Sequence, residues 1–192
     1  GSGPWRANDH WNRVEQDIAL LRELNVQHYR MGLEWARVEP RPGEFDDVAI
    51  EHYRDELGRL RDAGIKPLVT LHHFNNPLWF EDQGGFLHRE STGVLQRYTQ
   101  RMVGALGDLC DEWITINEPN IYATHGYYFG LWPPGVKSLK TLVEVYTSLA
   151  AAHIDAYRLI HELQPDARVG VAQHLRVFRP RIAWHPTHWA SA

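Results

Sequence analysis

The sequence predicts an α/β chain of about four βα units on parallel strands, an incomplete (β/α)8 barrel. Three observations predict it. Segments with apolar residues three and four apart alternate with short strand-type runs, the pattern of successive βα units. Each strand-type run ends in polar residues, and two of them lead into long segments rich in Gly, Pro and aromatics, where function is usually carried. The glycine patterns that cradle phosphates on nucleotide-binding sheets are absent. That absence favours part of a barrel over a doubly wound open sheet. Four strands cannot close an eight-stranded barrel, which needs roughly 250 residues, and this chain has 192.

The elements follow in order. A helix is expected from about Asp9 to Leu24, with Trp11, Val14, Ile18 and Leu21 on one stripe, Asp9 as N-cap and Asn25 as a left-handed stop. A strand follows from about Val26 to Trp35. Its alternation places His28, Arg30, Gly32 and Glu34 on one face and Tyr29, Met31, Leu33 and Trp35 on the other. A polar face suits the interior of a barrel near an active site. A helix near Asp47 to Ala63 buries Ile50, Tyr53, Leu57 and Leu60, and Gly64 closes it. The strand Pro67 to Phe74 leads to a long segment, Asn75 to Arg89. A helix from Ser91 to Leu109 carries Leu95, Tyr98, Met102 and Leu106 inward and feeds the strand that begins near Trp113. After a second long segment, Asn120 to Lys137, a helix from Leu139 to Leu163 leads to the strand Arg168 to Gln173. No linker divides these units, so residues 1–192 read as one domain.

Composition narrows the function. A net charge of −4 gives no basic field for nucleic acid, and no apolar run is long enough to span a membrane. One cysteine, Cys110, and no Asn-x-Ser/Thr acceptor favour a reducing, cytoplasmic setting. The first residues contain no signal-peptide core and no initiator Met, as expected either for residues left by cloning or for the interior of a longer reading frame. Twelve His suggest metal, with His72-His73 and His185-x-x-His188 as candidates, yet no Cys or carboxylate cluster completes a site. Neither metal nor cofactor is expected.

The most informative stretch is Trp113-Ile114-Thr115-Ile116-Asn117-Glu118-Pro119. A buried parallel strand reads as a continuous apolar run, so a Glu at its carboxyl end has no packing role, and barrels build their active sites at that end. Glu118 therefore reads as a catalytic acid/base.

Four motifs in order then carry a resemblance to family 1 glycoside hydrolases, the retaining β-glucosidase-type enzymes. They are Tyr29 to Pro40 (YRMGLEWARVEP), Thr70-Leu71-His72-His73-Phe74, Gly84-Gly85-Phe86 and Thr115 to Pro119. The tail Trp132-Pro133-Pro134-Gly135 resembles the loop that follows there. The resemblance implies Glu118 as general acid/base, Asn117 at the sugar 2-hydroxyl and His73 at the 3-hydroxyl. It places Arg30 beneath the site, orienting a nucleophile carboxylate, and Asn120 near the leaving group. Arg30 could instead be a structural residue held by Glu34 or Asp46. Glu34 itself takes a structural place in the motif.

A retaining mechanism needs two carboxyl groups about 5–5.5 Å apart. The family's nucleophile lies in a Thr-Glu-Asn-Gly-type motif, which this sequence does not contain. The chain thus reads as the N-terminal part of such an enzyme, inactive alone, with a small β-glycoside or oligosaccharide as partner. A non-catalytic carbohydrate-binding module, or a half-barrel that self-associates through open edges, is the competing reading.

Overall fold

A computed structural model describes residues 7–176 together with residues 179 and 184. Helix α1, His10–Glu23, precedes strand β1, His28–Gly32. Asn25 takes the left-handed stop at φ 54°. Asp9 is not the cap it was expected to be. It is itself left-handed at φ 55°, and its carboxylate accepts from the Asn12 amide (2.8 Å) instead of capping backbone N–H groups. β1 also ends three residues earlier than its alternation suggests. Met31, Leu33 and Trp35 are all buried, so the alternation persists, but Trp35–Val38 winds into a short helix α2. Buried Glu39 holds that turn, accepting from Trp35 Nε1 (2.7 Å), the Gly43 N–H (2.8 Å) and Arg97 (2.7 Å).

Helix α3, Asp47–Asp62, is capped by Asp46, whose carboxylate accepts from Val48 and Ala49 N–H at 2.9 and 3.1 Å. Gly64 exits at φ 75° into strand β2, Lys66–His72. The segment after β2 contains helix α4, Leu78–Asp82, and a 3-10 turn, Gly85–Leu87. Helix α5, Ser91–Leu106, stops short of the expected Leu109, and side chains from elsewhere satisfy carbonyls at and just past its end. Arg54 donates to Ala105 O, Gln164 to Gly107 O and Arg61 to Asp108 O. Strand β3, Glu112–Asn117, runs into helix α6, Pro119–Ala123, and a π-helical turn, Thr124–Tyr128. Helix α7, Leu139–Leu163, is capped by Ser138 and followed by strand β4, Arg168–Ala172. The two long segments are therefore partly helical, not open loops.

The four strands form one parallel sheet in the order β1-β2-β3-β4. Between Ile114 and Asn117 the β3–β4 register shifts, a bulge of the kind that re-aims a side chain beside a site. One core holds the helices to the sheet. Trp35, Trp113, Tyr98 and Leu57 are at most 1% exposed, Tyr98 donates to Leu71 O and Trp113 Nε1 to Gln164 Oε1. Polar side chains gather at the carboxyl ends of the strands, where Arg30, Gly32 and His73 are exposed. Among the described residues, the outer edges of β1 and β4 pair with no further strand.

Candidate active site

Arg30 leaves β1 and forks across the next two strands. Its Nε donates to Thr70 Oγ1 on β2 (3.0 Å) and a terminal nitrogen to Asn117 Oδ1 at the end of β3 (2.6 Å). Neither Glu34 nor Asp46 holds it. Glu34 instead accepts from the Asn75 amide, and Asp46 is occupied as the α3 cap. The Arg30 fork decides how the buried Asn117 amide is oriented. A guanidinium only donates, so Oδ1 faces it and the Nδ2 donor is left for another partner.

Glu118 follows with φ 42° and ψ 58°. A non-glycine residue costs of order 1–3 kcal/mol in that region and survives there only where its surroundings impose it. Here its N–H donates to Ala172 O on β4 (2.6 Å), and its carbonyl accepts from Ile121 and Tyr122 N–H in the first turn of α6. Both neighbours thus pin the kink, and Pro119 starts the helix. The carboxylate is about one-third exposed, with Oε1 3.5 Å from His174 Nδ1.

His73 lies at the end of β2 beside bare backbone, since a Cβ on Gly32 would sit 3.9 Å from its ring. Desolvation and the Arg30 charge lower its pKa, opposed by the charge of Glu118. That coupling places His73 within the fields of both Arg30 and Glu118. A hollow of about 300 Å³ alongside has Arg30, Gly32, Thr70 and His73 in its wall. Phe74 is a second left-handed residue, at φ 68°. Its ring meets His73 at 5.0 Å and Trp132 at 5.1 Å, and Trp132 meets His125 at 4.7 Å. The Trp132 segment therefore folds back as an aromatic flank to the His73 strand end.

Asn120 ties to the chain after β4. Its amide donates to His174 O (2.7 Å) while Oδ1 is buried without a hydrogen-bond partner. The structure thus brings Arg30, Asn117, Glu118 and His73 to one end of the sheet and uses Asn120 to fasten the chain after β4. Two contributors escaped the sequence. Thr70 could have been found by pairing strands, since it lies on β2 opposite Gly32. His174 carried no signal, because the bonds that bring it close, from Glu118 N–H to Ala172 O and from the Asn120 amide to its own carbonyl, join residues more than 50 apart along the chain. His72, the other half of the His pair, is fully buried among Trp35, Phe86 and Tyr122, with Nε2 2.8 Å from Asn76 Oδ1. No group of three or more His, Cys, Asp or Glu among the described residues could hold a metal. His185 and His188 lie outside the described residues.

Four parallel βα units with polar residues at the strand ends define a segment of an α/β barrel, and comparison with known proteins gives its family. The model for glycosyl hydrolase family 1 matches residues 5–189, and the chain belongs to that family. Beta-glucosidase A of Acetivibrio thermocellus is 33% identical over 175 residues, 91% of this chain and 39% of that one. The 6-phospho-beta-glucosidase GmuD of Bacillus subtilis is 31% identical, over 96% of this chain and 40% of that one. Among solved structures, the Thermotoga maritima beta-glucosidase in complex with glucoimidazole superposes with a TM-score of 0.90 at 27% identity, over 95% of this chain and 42% of that one. The beta-glycosidase from Pyrococcus horikoshii gives 0.86 at 34% identity, over 92% and 41%. The chain therefore spans about 40% of the length of the relatives it matches. Its four parallel strands are part of a family 1 (β/α)8 barrel.

Proposed function

We propose that this chain carries the acid/base side of a retaining β-glucosidase active site. Glu118 protonates the glycosidic oxygen as the bond to the anomeric carbon breaks. It then takes a proton from the water that attacks the glycosyl-enzyme. The observation that carries the reading is a carboxylate mounted on a left-handed backbone just after β3, set beside an amide whose orientation Arg30 fixes. Asn117 Nδ2 is the free donor for the sugar 2-hydroxyl. His73, kept neutral near pH 7 by desolvation and by Arg30, can both donate to and accept from a sugar hydroxyl. Arg30 lies beneath both and orients the nucleophile carboxylate. The nucleophile itself comes from residues beyond these 192, because the sequence holds no Thr-Glu-Asn-Gly motif.

Hydrolysis of an aryl β-glucoside tests the reading. The protein extended to the length of its relatives turns the substrate over, and Glu118→Gln lowers kcat by about 10²–10⁴. The loss is greatest for poor leaving groups, which need the proton most. The 192-residue chain alone shows negligible turnover. Full activity in Glu118→Gln would remove the acid/base role.

Two further proposals rest on the same frame. The open sheet edges favour self-association of the isolated chain. The single cysteine favours a reducing, cytoplasmic setting. Cys110 is buried, and burial pushes its thiol pKa up to about 11, so it stays protonated and unreactive. Cell fractionation checks the location.

A further inference from the structure

The contact between Glu118 and the chain after β4 goes beyond the residues already given roles. His174 Nδ1 lies 3.5 Å from Glu118 Oε1, with both side chains about one-third exposed. The other ring nitrogen is occupied, since Arg176 Nε donates to His174 Nε2 at 3.0 Å. A guanidinium has no acceptor, so Nε2 must be the bare nitrogen of the ring and Nδ1 must carry the hydrogen. Nδ1–H therefore faces the carboxyl group. The backbone of His174 is fixed as well, because its carbonyl accepts from Asn120 (2.7 Å), two residues beyond Glu118 on α6. The Glu118 N–H bond to Ala172 O closes the same loop from the other side.

We propose that His174 is a positioning residue for the acid/base. Its Nδ1–H holds Oε1 of Glu118, Arg176 sets its tautomer, and Asn120 sets its backbone. This rests on the reading of Glu118 as the proton donor. With Oε1 held, Oε2 is the oxygen that carries the proton and faces the glycosidic oxygen. When that proton leaves Oε2, the C–O bond to the leaving group breaks and the carboxyl becomes a carboxylate. No bond to His174 forms or breaks. The Nδ1–H contact instead becomes a charge-assisted hydrogen bond, stronger in the transition state than before it. Contacts of this type are commonly long in unliganded enzymes and tighten with substrate. Among the described residues, His73 on β2 also feels the charge of this carboxylate, and Arg30 on β1 acts on His73; both are unchanged in the variants below. Asn120 thus serves the site indirectly, by securing the residue that holds Glu118.

The experiment has two arms. In the 192-residue chain, ring-nitrogen NMR at pH above the imidazole range shows His174 as the Nδ1–H tautomer. An Nε2–H tautomer there overturns the proposal. In the protein extended to the length of its relatives, His174→Phe lowers kcat for alkyl β-glucosides about three- to tenfold, with KM little changed. The basic limb of its kcat/KM profile moves up by about half to one pH unit, because the carboxylate has lost a donor. His174→Gln, which restores an N–H donor, recovers most of both effects, and Arg176→Leu gives a smaller fall in the same direction. If Glu118→Gln inactivates the enzyme while His174→Phe leaves the profile unmoved, the role given to His174 is wrong. If Glu118→Gln costs nothing, the acid/base reading falls and the His174 role falls with it.

Discussion

At the residue scale, Asn117 shows how much of the site local sequence could reveal. An amide and a carboxylate ending an apolar run are legible because neither belongs in a buried strand. What holds them was not legible, since Arg30 lies 87 residues away along the chain and reaches Asn117 only after three strands have paired. His174 was hidden for the same reason. His72 gives a pH-dependent expectation. Its ring is fully buried, Nδ1 has no hydrogen-bond partner, and desolvation pushes its pKa down from 6.5 to about 4. Between those values the unfolded chain binds a proton that the folded chain refuses, so stability falls as pH drops from about 6.5 toward 4. The full span is worth roughly 3 kcal/mol at 1.36 kcal/mol per pKa unit. Urea midpoints measured across that window should show this slope, and His72→Gln should flatten it. An unchanged slope would mean that other groups govern acid sensitivity.

At the element scale, helix and strand order was readable because the apolar spacing switches between three-to-four and two. Boundaries were less so, and each miss has a physical cause. β1 continues its burial alternation past the point where its ladder ends, since Leu33 and Trp35 face the core from a turn. α5 ends where Arg54, Arg61 and Gln164 satisfy carbonyls from Ala105 to Asp108, and no local propensity encodes those distant donors. Asp9 and Asp46 have the same side chain and both stand one residue before a helix. Only Asp46 has the extended backbone (φ −85°, ψ 100°) that lets a carboxylate reach the first N–H groups, whereas Asp9 is left-handed. Asp46→Ala should therefore cost about 1 kcal/mol, seen as a lower urea midpoint, while Asp9→Ala should move it by less than about 0.5 kcal/mol. Equal losses would show that the cap hydrogen bonds contribute little to α3.

At the scale of the whole molecule, the sequence indicated an incomplete barrel because four strands cannot close one. It did not indicate how the exposed end would be managed. Leu142, Val143 and Tyr146 of α7 line an apolar hollow of about 270 Å³ with Asn120 and Thr124, and both sheet edges lack a further strand among the described residues. Exposed edges and apolar hollows favour association. Light scattering on the 192-residue chain should give a mass that rises with concentration, and a strictly monomeric species at high concentration would argue that the edges are self-protected.

The sheet order has one more consequence. Because β1, β2, β3 and β4 lie side by side in the order of synthesis, each new strand docks onto its immediate predecessor and none must wait for a distant mate. Each pairing spans a single βα crossover, so no strand pays the larger loop-closure cost of reaching past an intervening unit. The polypeptide can therefore acquire its architecture vectorially, one βα unit at a time, while the ribosome is still extending it.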